Sequence, residues 1–113
     1  MKRKVLLLGA SGMIGPNLLE GLEPHYDLRL ADLAPQERDI VECDITSYAQ
    51  VRAAAEGMDA IMNFTVVRPH DHILSFQVNT LGAWHVMRAA ETLGIKKVVH
   101  TGPQLVRREY DHA

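Results

Sequence analysis

The sequence predicts an α/β fold built on a doubly wound parallel sheet. Three observations carry this. Short apolar, β-branched runs alternate with helical patterns along the chain, as parallel βαβ units require. A glycine-rich turn joins the first strand directly to the first helix. No internal repeat, low-complexity tract or linker interrupts the 113 residues, so a single domain over residues 1–113 accounts for them. A flavodoxin-like or receiver-type sheet shares the alternation, and the glycine turn separates the two.

Each element follows in order. Residues 4–8, KVLLL, form a short continuous apolar run, the mark of a strand covered on both faces. From Met13 the pattern turns helical, with Met13, Ile14, Leu18, Leu19 and Leu22 on one face. Pro16 is tolerable in the first turn, and Pro24 ends the helix. Residues 28–32 are the second strand, and 33–39, with Pro35 and a polar run, a loop. Residues 40–44 are the third strand. Thr46 or Ser47 caps the next helix, whose apolar side is Val51, Ala54 and Ala55 and which Gly57 ends. Residues 59–65 are the fourth strand, and 66–72 a loop around Pro69. A long helix then spans 73–93, with Leu74, Val78, Leu81, Val86, Ala89, Ala90 and Leu93 in period and Gly94 closing it. Gly82 within it costs about 1 kcal/mol against Ala, which points to a close approach there, helix against helix. Residues 97–101 are the fifth strand.

Composition narrows the function classes. A net charge of −2 gives no electrostatic footprint for nucleic acid. The single cysteine, Cys43, excludes an intrachain disulfide and reads as a small buried strand residue in a reducing compartment. The opening MKRKVLLLG imitates a secretory signal, but its strongly apolar stretch, residues 5–8, falls short of the ~7–15 residues such a signal needs. No run approaches the ~18 apolar residues of a membrane span. The expectation is a soluble, cytoplasmic protein with no membrane and no nucleic-acid partner.

The glycine turn, GASGMIG over residues 9–15, carries the strongest chemical signal. Gly9 permits the tight turn, Gly12 lets a pyrophosphate approach the backbone, and Gly15 lets helix and strand pack closely. Free N–H groups at the helix start suit a diphosphate. Ser11, Met13 and Ile14 complete the cradle. Asp32, at the end of the second strand and about twenty residues past Gly12, stands where a carboxylate accepts hydrogen bonds from the adenosine ribose. It would repel a 2′-phosphate, so NAD is favoured over NADP, with Arg29 and Arg38 close enough in sequence to soften that preference.

The spacing GxxGxxG makes the likeness specific. Together with Cys43-Asp44-Ile45, Asn63-Phe64-Thr65-Val66, the run from Val78 to Glu91 and Gly94 to Val99, it resembles the extended short-chain dehydrogenase/reductase family, the NAD-dependent epimerase/dehydratases. The likeness covers essentially the whole chain, although the family's leading Thr before the glycine loop is missing. It implies a Rossmann-type sheet of order 3-2-1-4-5 that lacks the family's later strands and C-terminal substrate domain. It implies that Asp44, beside Ile45, contacts the adenine amino group, and that Phe64, Thr65 and Val66 line the cofactor. It further implies hydride transfer on a sugar-like or alcohol substrate and a homodimer formed through the long helix.

The family's chemistry also needs a Ser or Thr just past the fifth strand and a Tyr-x-x-x-Lys on the next helix. A phenol with pKa near 10 is a poor base at neutral pH without an adjacent cation. Here Pro103 falls on the hydroxyl position, Thr101 lies two residues early as a structural residue, and Tyr110 has no Lys four residues on. No catalytic residue is assigned. His70 and His72 lack a third ligand, so no metal site is expected; His85 reads as a packed or surface residue. The expectation is the N-terminal, NAD-binding part of a longer enzyme, with Val98 and Val99 on an open edge, binding cofactor without turnover. The alternative is a non-catalytic NAD(P)-binding sensor or interaction module of the same fold.

Overall fold

The computed structural model describes residues 1–12, 14–34, 39–66 and 71–101. Five strands form one parallel sheet: β1 (Arg3–Leu8), β2 (Tyr26–Asp32), β3 (Ile40–Glu42), β4 (Ala60–Asn63) and β5 (Lys97–His100), in the order β3-β2-β1-β4-β5. All four pairings are parallel, with Leu7 opposite Leu30 on one side and Met62 on the other. The expected strand order is therefore present.

The order reverses direction at β1, and right-handed crossovers then place helices on both faces. One face carries the core. Leu6, Leu8, Ala31 and Ile61 meet Val51, Ala54 and Ala55 of α2 (Tyr48–Ala55) and Val86, Ala89 and Ala90 of α4 (Gly82–Leu93). The other face holds Val5 and Leu7, both buried, near α1 (Gly15–Leu22). Cover thins toward β5, where Val99 is 51% exposed.

Helix ends follow their local chemistry. Ser47, the second of the two expected caps, accepts from the Gln50 N–H at 3.4 Å. Gly94 closes α4 at φ +70°. Pro16 lies in the first turn of α1, which starts at Gly15 rather than at Met13, a residue outside the described ones. The expected apolar stripe of α1 is only half-buried at Leu18, Leu19 and Leu22, and Ile14 is exposed.

Several boundaries differ from expectation. β3 stops at Glu42, not Asp44, because the Asp44 carboxylate captures the N–H and hydroxyl of Thr46 and turns the chain. β4 is confined to Ala60–Asn63, and β2 starts two residues earlier than expected, at Tyr26. A helix begins within the stretch expected as loop: α3 (His72–Phe76) is capped by Asp71, which accepts from the Leu74 N–H at 3.1 Å. The long helix is not uniform. A π-helical turn, Gln77–Leu81, separates α3 from α4. Its extra residue per turn rotates the following side chains by about 100°. Leu74, ahead of the turn, and Leu81, at its end, are exposed, and the buried stripe runs through Val78, Gly82, Val86 and Ala89. Gly82 does mark a close approach, but to the Ile45 side chain in the β3–α2 loop rather than to a helix: an added Cβ would stand 2.9 Å from Ile45 Cγ2.

Candidate functional site

The carboxyl ends of β1, β2 and β4 converge on the reversal point of the sheet, where open α/β sheets form their crevice. Backbone bonds hold this edge beyond the strands. Gly9 and Ala10 N–H groups both donate to Ala31 O, Cys43 N–H to Asp32 O, and Phe64 N–H to Leu8 O. A crevice of about 150 Å³ lies there, walled by Gly9, Asp32, Asp44, Ile45, Thr65 and Val66, with Cys43 and Val78 also contributing. These residues come from five separate stretches of sequence, and the fold brings them together.

The glycine loop sits above this crevice. Gly9 is in the left-handed region at φ +81°, and an added Cβ would lie 2.8 Å from the Phe64 carbonyl carbon. The expected tight turn is therefore also a close approach to β4. A Cβ at Gly15 would lie 2.8 Å from Gly9 O and 3.0 Å from Ala10 Cα, so the close packing expected between helix and strand falls on the loop just past β1. Gly12 differs. It is exposed, and the one neighbour of an added Cβ would be Gly9 O at 3.3 Å. Its bareness opens the loop outward, toward whatever approaches the backbone.

Three observations test whether a dinucleotide fits. The Ser11 hydroxyl oxygen is buried and has no hydrogen-bond partner among the described residues. The N-cap of α1 is Ile14, which supplies no side-chain acceptor, and no acidic residue lies in the first turn. Pro16 brings no N–H and the Asn17 N–H donates to Ile14 O at 3.1 Å, so no side chain caps the N–H groups that remain at this helix start. Asp32 is half-buried and accepts one amide per oxygen, Ser11 N–H at 2.8 Å and Leu33 N–H at 2.7 Å. Each carboxylate oxygen has capacity for a second donor. The partnerless Ser11 hydroxyl for phosphate and the spare acceptor capacity of Asp32 for hydroxyls match the two halves of an adenosine diphosphate.

Arg29 does not soften the charge at Asp32. Its guanidinium donates to Ala54 O at 2.7 Å and Glu56 O at 2.8 Å, closing the end of α2 instead. Arg38 lies outside the described residues, as do Met13, His70, Pro103 and Tyr110. Phe64 is half-buried and contributes its backbone under Gly9. Cys43, buried one residue past β3, has its thiol pushed up to about 11, by burial first and then by the Asp44 and Asp32 carboxylates. It forms wall, not nucleophile.

At the β4–β5 junction, buried Asn63 accepts from the Thr65 N–H at 3.1 Å and lies 3.0 Å from His100 Nδ1. Thr101 donates its hydroxyl to Asn63 O at 3.5 Å, in keeping with a structural role. Among the described residues no cluster of three metal-binding side chains occurs, and no helix is long and apolar enough to cross a membrane. Sequence reasoning missed the partner of His85, whose Nδ1 lies 2.7 Å from Ile45 O. Position 85 falls on the buried stripe between Gly82 and Ala89, which signals its burial but not its partner.

Comparison with known proteins identifies the family. The family model described as NAD dependent epimerase/dehydratase family matches residues 5–106. Uronate dehydrogenase from Pseudomonas syringae pv. tomato is 35% identical over 106 residues, covering 85% of this chain and 38% of that protein. Its Pseudomonas putida counterpart is 33% identical, with 85% and 39% covered. A crystal structure of a mutant uronate dehydrogenase from Agrobacterium tumefaciens, complexed with NAD, superposes with a TM-score of 0.79 at 29% identity, covering 90% of this chain and 41% of that one. The chain spans about 40% of the length of these relatives. On the match over nearly its whole length, the chain belongs to the NAD-dependent epimerase/dehydratase family.

Proposed function

We propose that this chain is the NAD-binding portion of an oxidoreductase that transfers hydride between NAD and a sugar-like substrate. The observation that carries the reading is the crevice itself: Asp32, Asp44, Ile45, Thr65 and Val66 line it together with Gly9 of a glycine loop whose Ser11 hydroxyl lacks a partner among the described residues. Gly9, Ser11, Gly12, Ile14 and Gly15 cradle the diphosphate. Asp32 takes the adenosine ribose hydroxyls and Asp44 the adenine side. Met13 is assigned to the same cradle from sequence. NAD is preferred to NADP because no described cation offsets Asp32. The likeness to uronate dehydrogenases narrows the substrate class to a sugar acid. The chain alone binds cofactor without turnover, since Pro103 stands on the family's hydroxyl position and Tyr110 has no Lys four residues on.

Thermal melting with NAD, NADP or neither tests the cofactor assignment on the chain and on Asp32→Ala. A ligand at a hundred times its Kd stabilises by about 2.7 kcal/mol, so NAD raises the melting temperature and NADP does so less. Equal shifts with both overturn the role of Asp32; no shift with either overturns the site. Partnering is read from the long helix, where Phe76, Trp84 and Met87 are all more than half exposed. They support a homodimer, and sedimentation velocity with Trp84→Glu, expected to be monomeric, checks it.

A further inference from the structure

The crevice wall formed by Asp44 and Ile45 is held from behind. His85 of α4 is 8% exposed, and its Nδ1 lies 2.7 Å from Ile45 O. A carbonyl oxygen can only accept, so Nδ1 carries the proton and donates. Three residues earlier, Gly82 receives the Ile45 side chain so closely that a Cβ would stand 2.9 Å from it. The same wall is tied forward by Asp44, whose N–H donates to Gln50 Oε1 at 2.9 Å and whose carboxylate holds Thr46. The His85 ring is itself backed by Tyr48, 6.0 Å between centroids at 56°. The Arg88 guanidinium covers the Tyr48 ring at 4.1 Å. A contiguous path therefore leads from the outer surface of α4 to one carbonyl at the crevice.

We propose that His85 is a positioning residue for the dinucleotide: its Nδ1–H fixes the Asp44–Ile45 segment at the depth the adenosine half requires. The proposal rests on the reading of the crevice as the NAD site. Ile45 O is buried, so without the donor it must find another partner, and the segment moves to provide one. The adenosine half then loses its wall while the glycine loop, held by Gly9 and Gly15, stays in place. Affinity, rather than the fold, carries the effect.

Isothermal titration of the chain with NAD and with ADP-ribose tests this, alongside His85→Leu, His85→Asn and His85→Gln. The Asn side-chain amide places a donor where Nδ1 stands; Gln carries it one bond farther; Leu has none. His85→Leu is expected to weaken both ligands about tenfold, a change of 1.4 kcal/mol, with Asn within about threefold of the parent and Gln between. Amide resonances of Asp44 to Thr46 shift in the Leu variant and return in the Asn variant. A folded His85→Leu that binds like the parent, or an Asn variant as weak as Leu, overturns the proposal. Should the Leu variant not fold, the Asn–Gln comparison decides it, equal affinities for the two counting against. A parent chain that binds neither ligand refutes the cofactor reading instead.

Discussion

Two glycines share the same positive φ and differ in surroundings, which isolates what the first β–α turn requires. Gly9 has φ +81° and Gly57 φ +80°. An alanine at either position pays about 1–2 kcal/mol for left-handed backbone, less about 0.4–1 kcal/mol gained by restricting the unfolded chain. Gly57→Ala meets nothing within 4 Å, so its net cost is about 0–1.5 kcal/mol. Gly9→Ala places its methyl 2.8 Å from the Phe64 carbonyl carbon and 2.9 Å from Thr65 N. Those are backbone atoms at the end of a central strand and cannot swing aside. Overpacking of this kind costs about 1–3 kcal/mol, so Gly9→Ala should be less stable than Gly57→Ala by about that amount. Urea unfolding followed by far-UV circular dichroism measures the difference, with equal m-values confirming that the unfolded states are comparable. Because the displaced atoms include Thr65, a wall of the crevice, NAD binding by the folded fraction should fall in Gly9→Ala and not in Gly57→Ala. Two midpoints agreeing within about 0.5 kcal/mol would show that the turn needs glycine only for φ, and the close approach of loop to β4 would lose its energetic meaning.

Other consequences are simpler to test. Gly21 lies exposed within α1 with nothing near a Cβ, so Gly21→Ala should stabilise by about 1 kcal/mol and raise the thermal midpoint by several degrees. The Cys43 thiol, raised from 9.0 to about 11, holds its proton more tightly folded than unfolded. Its contribution is fully present below about pH 9 and is lost as pH rises through 11. The stability difference between the parent and Cys43→Ala should shrink across that window in urea titrations. For the same reason, a thiol-directed reagent at pH 8 should modify Cys43 only as fast as the chain opens; rapid labelling of folded protein would contradict its burial.

What was legible in the sequence and what was not divide along the range of the interactions. The glycine turn, the Ser47 cap and the Gly94 stop are each decided by a few neighbouring residues, and each lies where its pattern places it. The strand order came from the family likeness, which carries long-range pairing that periodicity alone does not. The π-helical turn had no such signal. Its residues, Gln77–Leu81, continue an acceptable helical period. The extra residue makes sense only once Gly82 is seen seated on Ile45, which turns the stripe from Val78 onward toward the sheet. Arg29 and His85 teach the same lesson with polar groups. One seemed placed to neutralise Asp32 and instead closes α2 through carbonyls 25 and 27 residues away. The other read as a packed or surface residue; it is packed, and it also donates to a carbonyl 40 residues away. Backbone carbonyls carry no residue identity, so a side chain that bonds to one leaves no partner to recognise in the sequence. The crevice therefore has a layer that motif reading reaches, the glycines and Asp32, and a supporting layer that only the packed helices disclose.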